Sequence, residues 1–379
     1  MRAELSREEL ACHVWFHKIE GIGTRTLFSL WEQFGSMITA YEGSEEVLKK
    51  ALSCKQLRAF KEAKYALTPE RYLEKIETMG IRYVPFSEEI YPSKLRNIPD
   101  PPFGLFVKGS LPDERKASIA IVGARACSDY GKRVAKDFAS ELAGYGVQVI
   151  SGMARGIDSI GQQACMEAGG RTFAILGSGV DVCYPGELKG LYDGIQKQGG
   201  ILSSYAPGTP PAAGNFPPRN RIISGLADVI LVVEARRKSG TLITVDMALE
   251  QGKEVAVIPG RITDQLSQGC HDLIKQGATV IVDMEQMLAL VKDVCKNYEI
   301  PEYEEKENQK ALLIGRDNIK ENLRSILNIL SEEPEEAESL YNKWKIRNKS
   351  GNFQSFMEGL VDLELMDLCK ASKNRFSIH

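Results

Sequence analysis

Between residue 118 and about residue 293, short apolar runs alternate with stretches whose apolar positions recur with the helical period near 3.6. Candidate strands fall at 118–122, 147–151, 171–176, 201–205, 228–234, 254–259 and 279–283. Those around Ile150, Ile175, Leu231 and Val257 are apolar throughout rather than alternating, as in strands buried on both faces. Helical stretches rich in Ala, Glu and Lys separate most of them. Repeated strand–helix units of this kind predict an α/β fold: a doubly wound, mostly parallel sheet covered by helices.

The flanking segments have other periods. Residues 1–80 keep the helical period throughout and predict an N-terminal helical domain. Within it, Gly21-Ile22-Gly23 between two helices resembles a helix-hairpin-helix turn, which either holds a phosphate on backbone N–H groups or serves as a tight interhelical turn. Residues 81–117 are punctuated by Tyr91-Pro92, Pro99-Asp100-Pro101-Pro102 and Leu111-Pro112, and read as a connector to the sheet domain. Phe103 to Gly109 inside it predicts an extra strand at the sheet edge. The sheet domain therefore spans 81–293. Residues 294–318 hold the acidic run Glu302 to Asn308 and predict a flexible linker. Residues 319–379 predict three helices and a two-stranded hairpin, the order of a winged helix.

Composition narrows the function classes. The chain has 379 residues, 43% hydrophobic and 26% charged, with a net charge of −3, so any polyanion site must come from local clustering. The eight cysteines form no Cys-x-x-Cys pair and the four histidines no ligand spacing, so neither a disulfide framework nor a metal site is expected. No signal segment opens the chain and no apolar run is long enough to span a bilayer, which predicts a cytoplasmic protein without membrane contact. There is no Walker loop, Gly-x-Ser-x-Gly elbow or His–Glu zinc pair, and Gly123 does not begin a Gly-x-Gly-x-x-Gly fingerprint. No cofactor and no catalytic residue is therefore expected.

What remains is a set of loops. Arg125 follows the first strand of the series, Arg155 the second and Gly177-Ser178-Gly179 the third. The fourth leads through a long loop to Phe216-Pro217-Pro218-Arg219-Asn220-Arg221, the fifth to Arg236-Arg237-Lys238-Ser239-Gly240-Thr241, and the sixth to Arg261. In a parallel sheet all of these loops share one edge, which predicts one basic crevice lined by glycines and helix N-termini. The candidate residues for such a polyanion site are Gly123, Arg125, Gly152, Arg155, Gly177, Phe216, Arg219, Arg221, Lys238, Gly240 and Thr241. An aromatic beside arginines suits stacking on an unpaired base while guanidiniums take phosphates. A structural role competes for each: Gly123 and Gly152 as tight turns, Asp158 and Asp181 as helix N-terminal residues, Phe216 as core, and Arg219 or Arg221 as partners of Asp228 or Glu234.

At these residues the chain resembles the DNA-processing protein A (DprA/Smf) family. The matching runs are Ile121 to Arg125, Ser151 to Asp158, Leu176 to Asp181 with Tyr184-Pro185, Phe216 to Ala227, Ser239 to Thr244, Val257 to Gly260 and Gly269 to Ala278. Gln162, Leu188 and His271 depart from the family pattern without removing a basic residue. The resemblance implies an extended Rossmann-like domain that binds single-stranded DNA and forms a homodimer. It also implies protection of incoming strands and loading of the RecA recombinase during natural transformation. The alternative is a nucleotide-binding or nucleotide-hydrolysing protein of the lysine-decarboxylase-like superfamily. Lys238 to Thr244 lacks the doubled glycine and the following acid of that group.

Overall fold

The computed structural model describes residues 5–296, 298, 321–327, 329–330, 335–347, 352–365, 369–372 and 375–378. The chain divides into two compact units, Met1–Pro301 and Glu302–His379.

The first unit opens with six helices: α1 (Arg7–Phe16), α2 (Thr24–Phe34), α3 (Met37–Glu42), α4 (Glu45–Leu48), α5 (Cys54–Ala66) and α6 (Pro69–Thr78). Strand β1 (Arg82–Pro85), the short helix α7 (Ser93–Arg96) and strand β2 (Gly104–Gly109) follow. The alternating part then runs β3 (Ser118–Val122), α8 (Asp129–Gly144), β4 (Gln148–Ser151), α9 (Ile157–Glu167), β5 (Thr172–Ile175), α10 (Lys189–Gln198), β6 (Gly200–Ser203) and α11 (Phe216–Leu226). It ends with β7 (Val229–Val232), α12 (Gly240–Glu250), β8 (Glu254–Val257), α13 (Gln268–Lys275), β9 (Thr279–Val280) and α14 (Met284–Val294).

The nine strands form one sheet in the order β1-β2-β6-β5-β4-β3-β7-β8-β9. From β6 to β9 every neighbouring pair is parallel. β2 joins the β6 edge of the parallel part, as the apolar run at 103–109 predicts; it pairs antiparallel, and β1 adds antiparallel to β2. β1 lies in the segment read as a connector; its four residues end at Pro85, which is tolerated on an edge strand because that edge needs no further donor. Every residue of β3 to β7 is buried, which explains their apolar centres without the alternation of a half-exposed strand.

Apolar clusters cover both faces of the sheet. One joins Trp15, Phe16, Leu27 and Phe60 of the N-terminal helices to Phe106, Ala174 and Ile201 of the sheet and Ile195 of α10. The other packs Ile222 and Ile223 of α11 and Val245 of α12 onto Ile150, Ile175 and Ile230. The N-terminal helices thus share a core with the sheet. Glu9 helps to fix them: its buried carboxylate accepts the Met37 and Ile38 amides at 2.6 and 2.9 Å, which caps α3.

The second unit holds α15 (Glu321–Leu327), β10 (Glu335–Glu336), α16 (Ala337–Arg347), α17 (Phe353–Leu365), β11 (Cys369–Ser372) and β12 (Arg375–Ile378). Its core gathers Ile326, Leu340, Trp344, Phe356 and Leu363. Its sheet has three strands in the order β10-β12-β11, one more than the sequence predicts, because β10, Glu335-Glu336, carries no apolar residue to mark it. Residues 299–318, most of the stretch expected to be a linker, and the turn residues Lys373 and Asn374 lie outside the described residues.

Candidate functional site

After β3 the chain builds β4, β5 and β6 on one side, then crosses back to place β7 on the other. The loops leaving β3 and β7 therefore diverge, and a crevice opens at the carboxyl ends of the strands. A cleft of about 700 Å³ occupies this point. Its walls come from Gly123 to Arg125 after β3, from Ala154 and Asp158 around the start of α9, and from Phe216, Pro217, Arg219 and Asn220 of α11. Ser239 to Thr241 and Thr244 close the β7 side, and Tyr184 adds a ring. Gly152, Arg155 and Gly177 line a smaller adjoining hollow shared with Arg125, Tyr184 and Phe216.

Close backbone approach explains three of the glycines. A Cβ on Gly123 would stand 2.7 Å from Ile157 Cγ1, so a side chain there would push the β3 loop off α9. A Cβ on Gly177 would meet Phe216 Cδ1 at 2.9 Å, so the Phe216 ring rests directly on that loop. A Cβ on Gly152 would meet the Arg219 guanidinium at 2.7 Å.

Phe216 starts α11, and Pro217 and Pro218 stiffen the first turn. Its ring is half-buried, with the guanidinium carbons of Arg125 and Arg219 each 5.7 Å from the ring centroid. The Tyr184 ring lies 5.9 Å away, tilted by 30°. The guanidiniums are within cation–π range of the aromatic face. Arg125 is exposed and forms no ion pair among the described residues, which leaves its donors available to an anion.

Arg219 differs from the expectation of an open phosphate ligand. It is only 5% exposed and donates from Nη1 to the carbonyls of Gly152, at 2.8 Å, and Ile175. Burial pushes its pKa down to about 10, partly offset by Asp158. Asp158 is buried too, and its Oδ2 accepts the Gly152 amide at 3.1 Å. Burial raises its pKa against the opposing pull of Arg219. Arg219 thus ties α11 to the ends of β4 and β5, and its charge partner is Asp158 rather than Asp228 or Glu234. Asp228 instead takes Lys94 at 2.7 Å, and Glu234 accepts the Ser128 amide at 2.9 Å.

The other arginines divide. Arg155 is exposed at the rim and bonds the Glu187 carboxylate through Nε. Arg221 and Lys238 are absent from the cleft wall, and Lys238 is exposed in the loop before α12. Gly240 opens α12 with nothing within 4 Å of a Cβ position, and Thr241 is buried beside it. Among the described residues, the titratable groups on the cleft wall are Arg125, Asp158, Tyr184 and Arg219. The positive charge accessible to a ligand is therefore concentrated at the mouth, while glycines, hydroxyls and apolar side chains line the interior. Asn220, Tyr184 and Thr244 on the wall are not among the sequence candidates; the Tyr184-Pro185 pair after the β5 loop is the signal that marks one of them. No group of His, Cys, Asp and Glu among the described residues could hold a metal ion. No described helix is long and apolar enough to cross a membrane.

Residues 82–292 match the family model of DNA recombination-mediator protein A. The chain belongs to this family. It is 42% identical over 206 residues to the DNA processing protein DprA of Streptococcus pneumoniae, covering 53% of this chain and 71% of that one. Identity to DprA of Bacillus subtilis is 37% over 262 residues, 69% of this chain and 88% of the relative. Identity to Protein Smf of Escherichia coli is 44% over 214 residues, 56% of this chain and 57% of the relative. The X-ray structure of S. pneumoniae DprA superposes with a TM-score of 0.64 at 32% identity, over 76% of this chain and 98% of that one. DNA processing protein A of Helicobacter pylori, studied for its single-stranded DNA binding mode, gives a TM-score of 0.50 at 28% identity, over 57% of this chain and 98% of that one. The DprA/Smf family and its α/β sheet fold are thereby established for this chain.

Proposed function

We propose that this DprA/Smf family member binds single-stranded DNA at the switch-point cleft, without strong sequence preference and without turnover. It acts in the cytoplasm as a homodimer, protects incoming strands and loads the RecA recombinase onto them during natural transformation. The observation that carries the binding reading is Phe216 beside the exposed Arg125 at the mouth of the cleft. An aromatic face takes a base of any identity, and a cation next to it takes the adjoining phosphate. The H. pylori relative, whose single-stranded DNA binding mode is described, supports the same ligand.

The test is binding of a fluorescent single-stranded oligonucleotide across a salt series, with duplex and mononucleotide as competitors. Affinity is expected to fall with a log–log slope of about −0.7 per phosphate neutralised, and both competitors are expected to be weak. A flat salt response counts against the reading.

A second reading, nucleotide hydrolysis, is favoured by Ser239-Gly240-Thr241 at the N-terminus of α12 inside the same cleft. Ile243 stands two residues after Thr241 where that chemistry wants an acid, and the Asp158 carboxyl on the cleft wall already accepts the Gly152 amide. Free base released from nucleotides by the purified protein, and lost on Thr241→Ala, would favour this second reading. In the winged-helix unit, the exposed Glu358, Asp362 and Glu364 of α17 suit a protein contact better than a DNA groove. A chain ending near residue 310 is expected to keep strand binding.

A further inference from the structure

Arg219 and Arg221 leave the same helix and meet opposite fates. Arg219 is held by backbone carbonyls and faces Asp158. Arg221 is partly buried, and its Nε has no hydrogen-bond partner. Its charge interacts with Asp100, Tyr205 and Tyr91, and with a second cation, Arg25. Arg25 sits in the first turn of α2 and reaches Asp100 Oδ2 at 3.1 Å; the two side chains are 87% and 50% exposed. Asp100 therefore pairs with Arg25 and also lies close enough to offset the charge of Arg221. A guanidinium that braces the fold has acceptors at its buried donors, as Arg219 has at Nε and Nη1 and as Arg221 lacks at Nε. Arg221 follows Asn220 of the cleft wall along α11, and Arg25 reaches its neighbourhood from α2.

We propose that Arg25 and Arg221 form a second phosphate contact for a strand that leaves the cleft over the first turn of α11, with Asp100 occupying that place until the strand arrives. The proposal rests on the cleft being the strand site, and gives the path beyond it. The N-terminal helices would then take part in binding through Arg25, a role that the Gly21-Ile22-Gly23 turn alone does not provide.

The test compares a short oligonucleotide of about 4 nucleotides with a long one of about 16, the span of single-strand sites. Arg25→Ala, at an exposed position, is expected to weaken the long strand several-fold and leave the short one unchanged. Asp100→Asn is expected to tighten the long strand and steepen its salt dependence; asparagine tolerates the positive φ of +51° at this position. Arg125→Ala is expected to weaken both lengths. If Arg25→Ala leaves the long strand unaffected, or weakens both lengths alike, the second contact is overturned. If Arg125→Ala changes neither length while Arg25→Ala weakens the long one, the cleft reading falls, and the path from the cleft to Arg25 falls with it, leaving Arg25 on a strand route that does not pass through the cleft. If the wild-type protein binds neither length, both fall.

Discussion

Arg219 occupies the space that a side chain at Gly152 would need. The guanidinium donates to the Gly152 carbonyl at 2.8 Å, and a Cβ added to Gly152 would lie 2.7 Å from its Nη2. The two positions therefore act as one structural unit. Arg219→Ala would leave the Asp158 carboxyl buried without its countercharge. It is expected to lower the unfolding free energy on the order of 3 kcal/mol, read from urea midpoints. Gly152→Ala is expected to destabilise in the same direction, because the guanidinium must leave its carbonyls. The salt slope of strand binding by folded Arg219→Ala should stay close to wild type. A flattened slope would assign Arg219 to a phosphate after all.

Phe216 and Arg125 are expected to leave different signatures in binding. Phe216→Ala should cost roughly 1–3 kcal/mol of affinity and leave the salt slope nearly unchanged, as for other base–aromatic stacks. Arg125→Ala should weaken binding and flatten the log–log slope by about 0.7. Fluorescence anisotropy at several salt concentrations measures both. Normal binding by folded Phe216→Ala would remove stacking from the account.

Arg155 stands at the rim with its Nε on the Glu187 carboxylate, so an incoming phosphate has to displace an acid. Glu187→Gln is expected to raise strand affinity several-fold at low salt and to steepen the salt slope. The two side chains are exposed, so melting temperature should barely change. Unchanged affinity would show that Arg155 does not meet the strand.

Glu9 gives the N-terminal helices a pH response. Burial pushes its carboxyl up, but the nearby His13 ring and the Met37 and Ile38 amides outweigh this and hold it below the ordinary value of 4.5. Its folded pKa is thus below its unfolded one. The stability it adds is present above the ordinary carboxylate range and is lost as pH falls through the depressed value. At neutral pH, Glu9→Gln is expected to lower the melting temperature by about 2–4 °C, as roughly 1 kcal/mol from a lost helix cap does in a unit of this size. The difference from wild type should shrink as the pH is taken below 4.5. An equal deficit at all pH values would assign the effect to packing.

The parts of the fold legible in the sequence are those encoded locally. The seven strands from β3 to β9 each carry an apolar run, and the loops after them carry glycines where the backbone passes close to a neighbour. β1 escaped because its run, Arg82 to Pro85, starts on a charge and ends on a proline within a proline-punctuated segment, and β10 because Glu335-Glu336 carries no apolar residue. Phe216 and Arg125 were marked by type and by position after a strand, and the structure brings them together across the cleft.

The sequence by itself determined that the arginines stand at the carboxyl ends of buried strands, because strand, loop and helix succeed one another within each short segment. Only the tertiary structure decided which of those arginines stay exposed at the cleft and which are drawn into the fold. Arg219 and Arg221 are about 200° apart around α11, so they project to different sides. Their surroundings come from remote chain. Arg219 meets carbonyls 67 and 44 residues away, at Gly152 and Ile175. Arg221 feels the charges of Asp100 and of Arg25 of the N-terminal helices, which are paired with each other. Such contacts depend on strand order and on which helices cover which face of the sheet. Both are set by packing between segments distant in sequence, and no local pattern of residues records them.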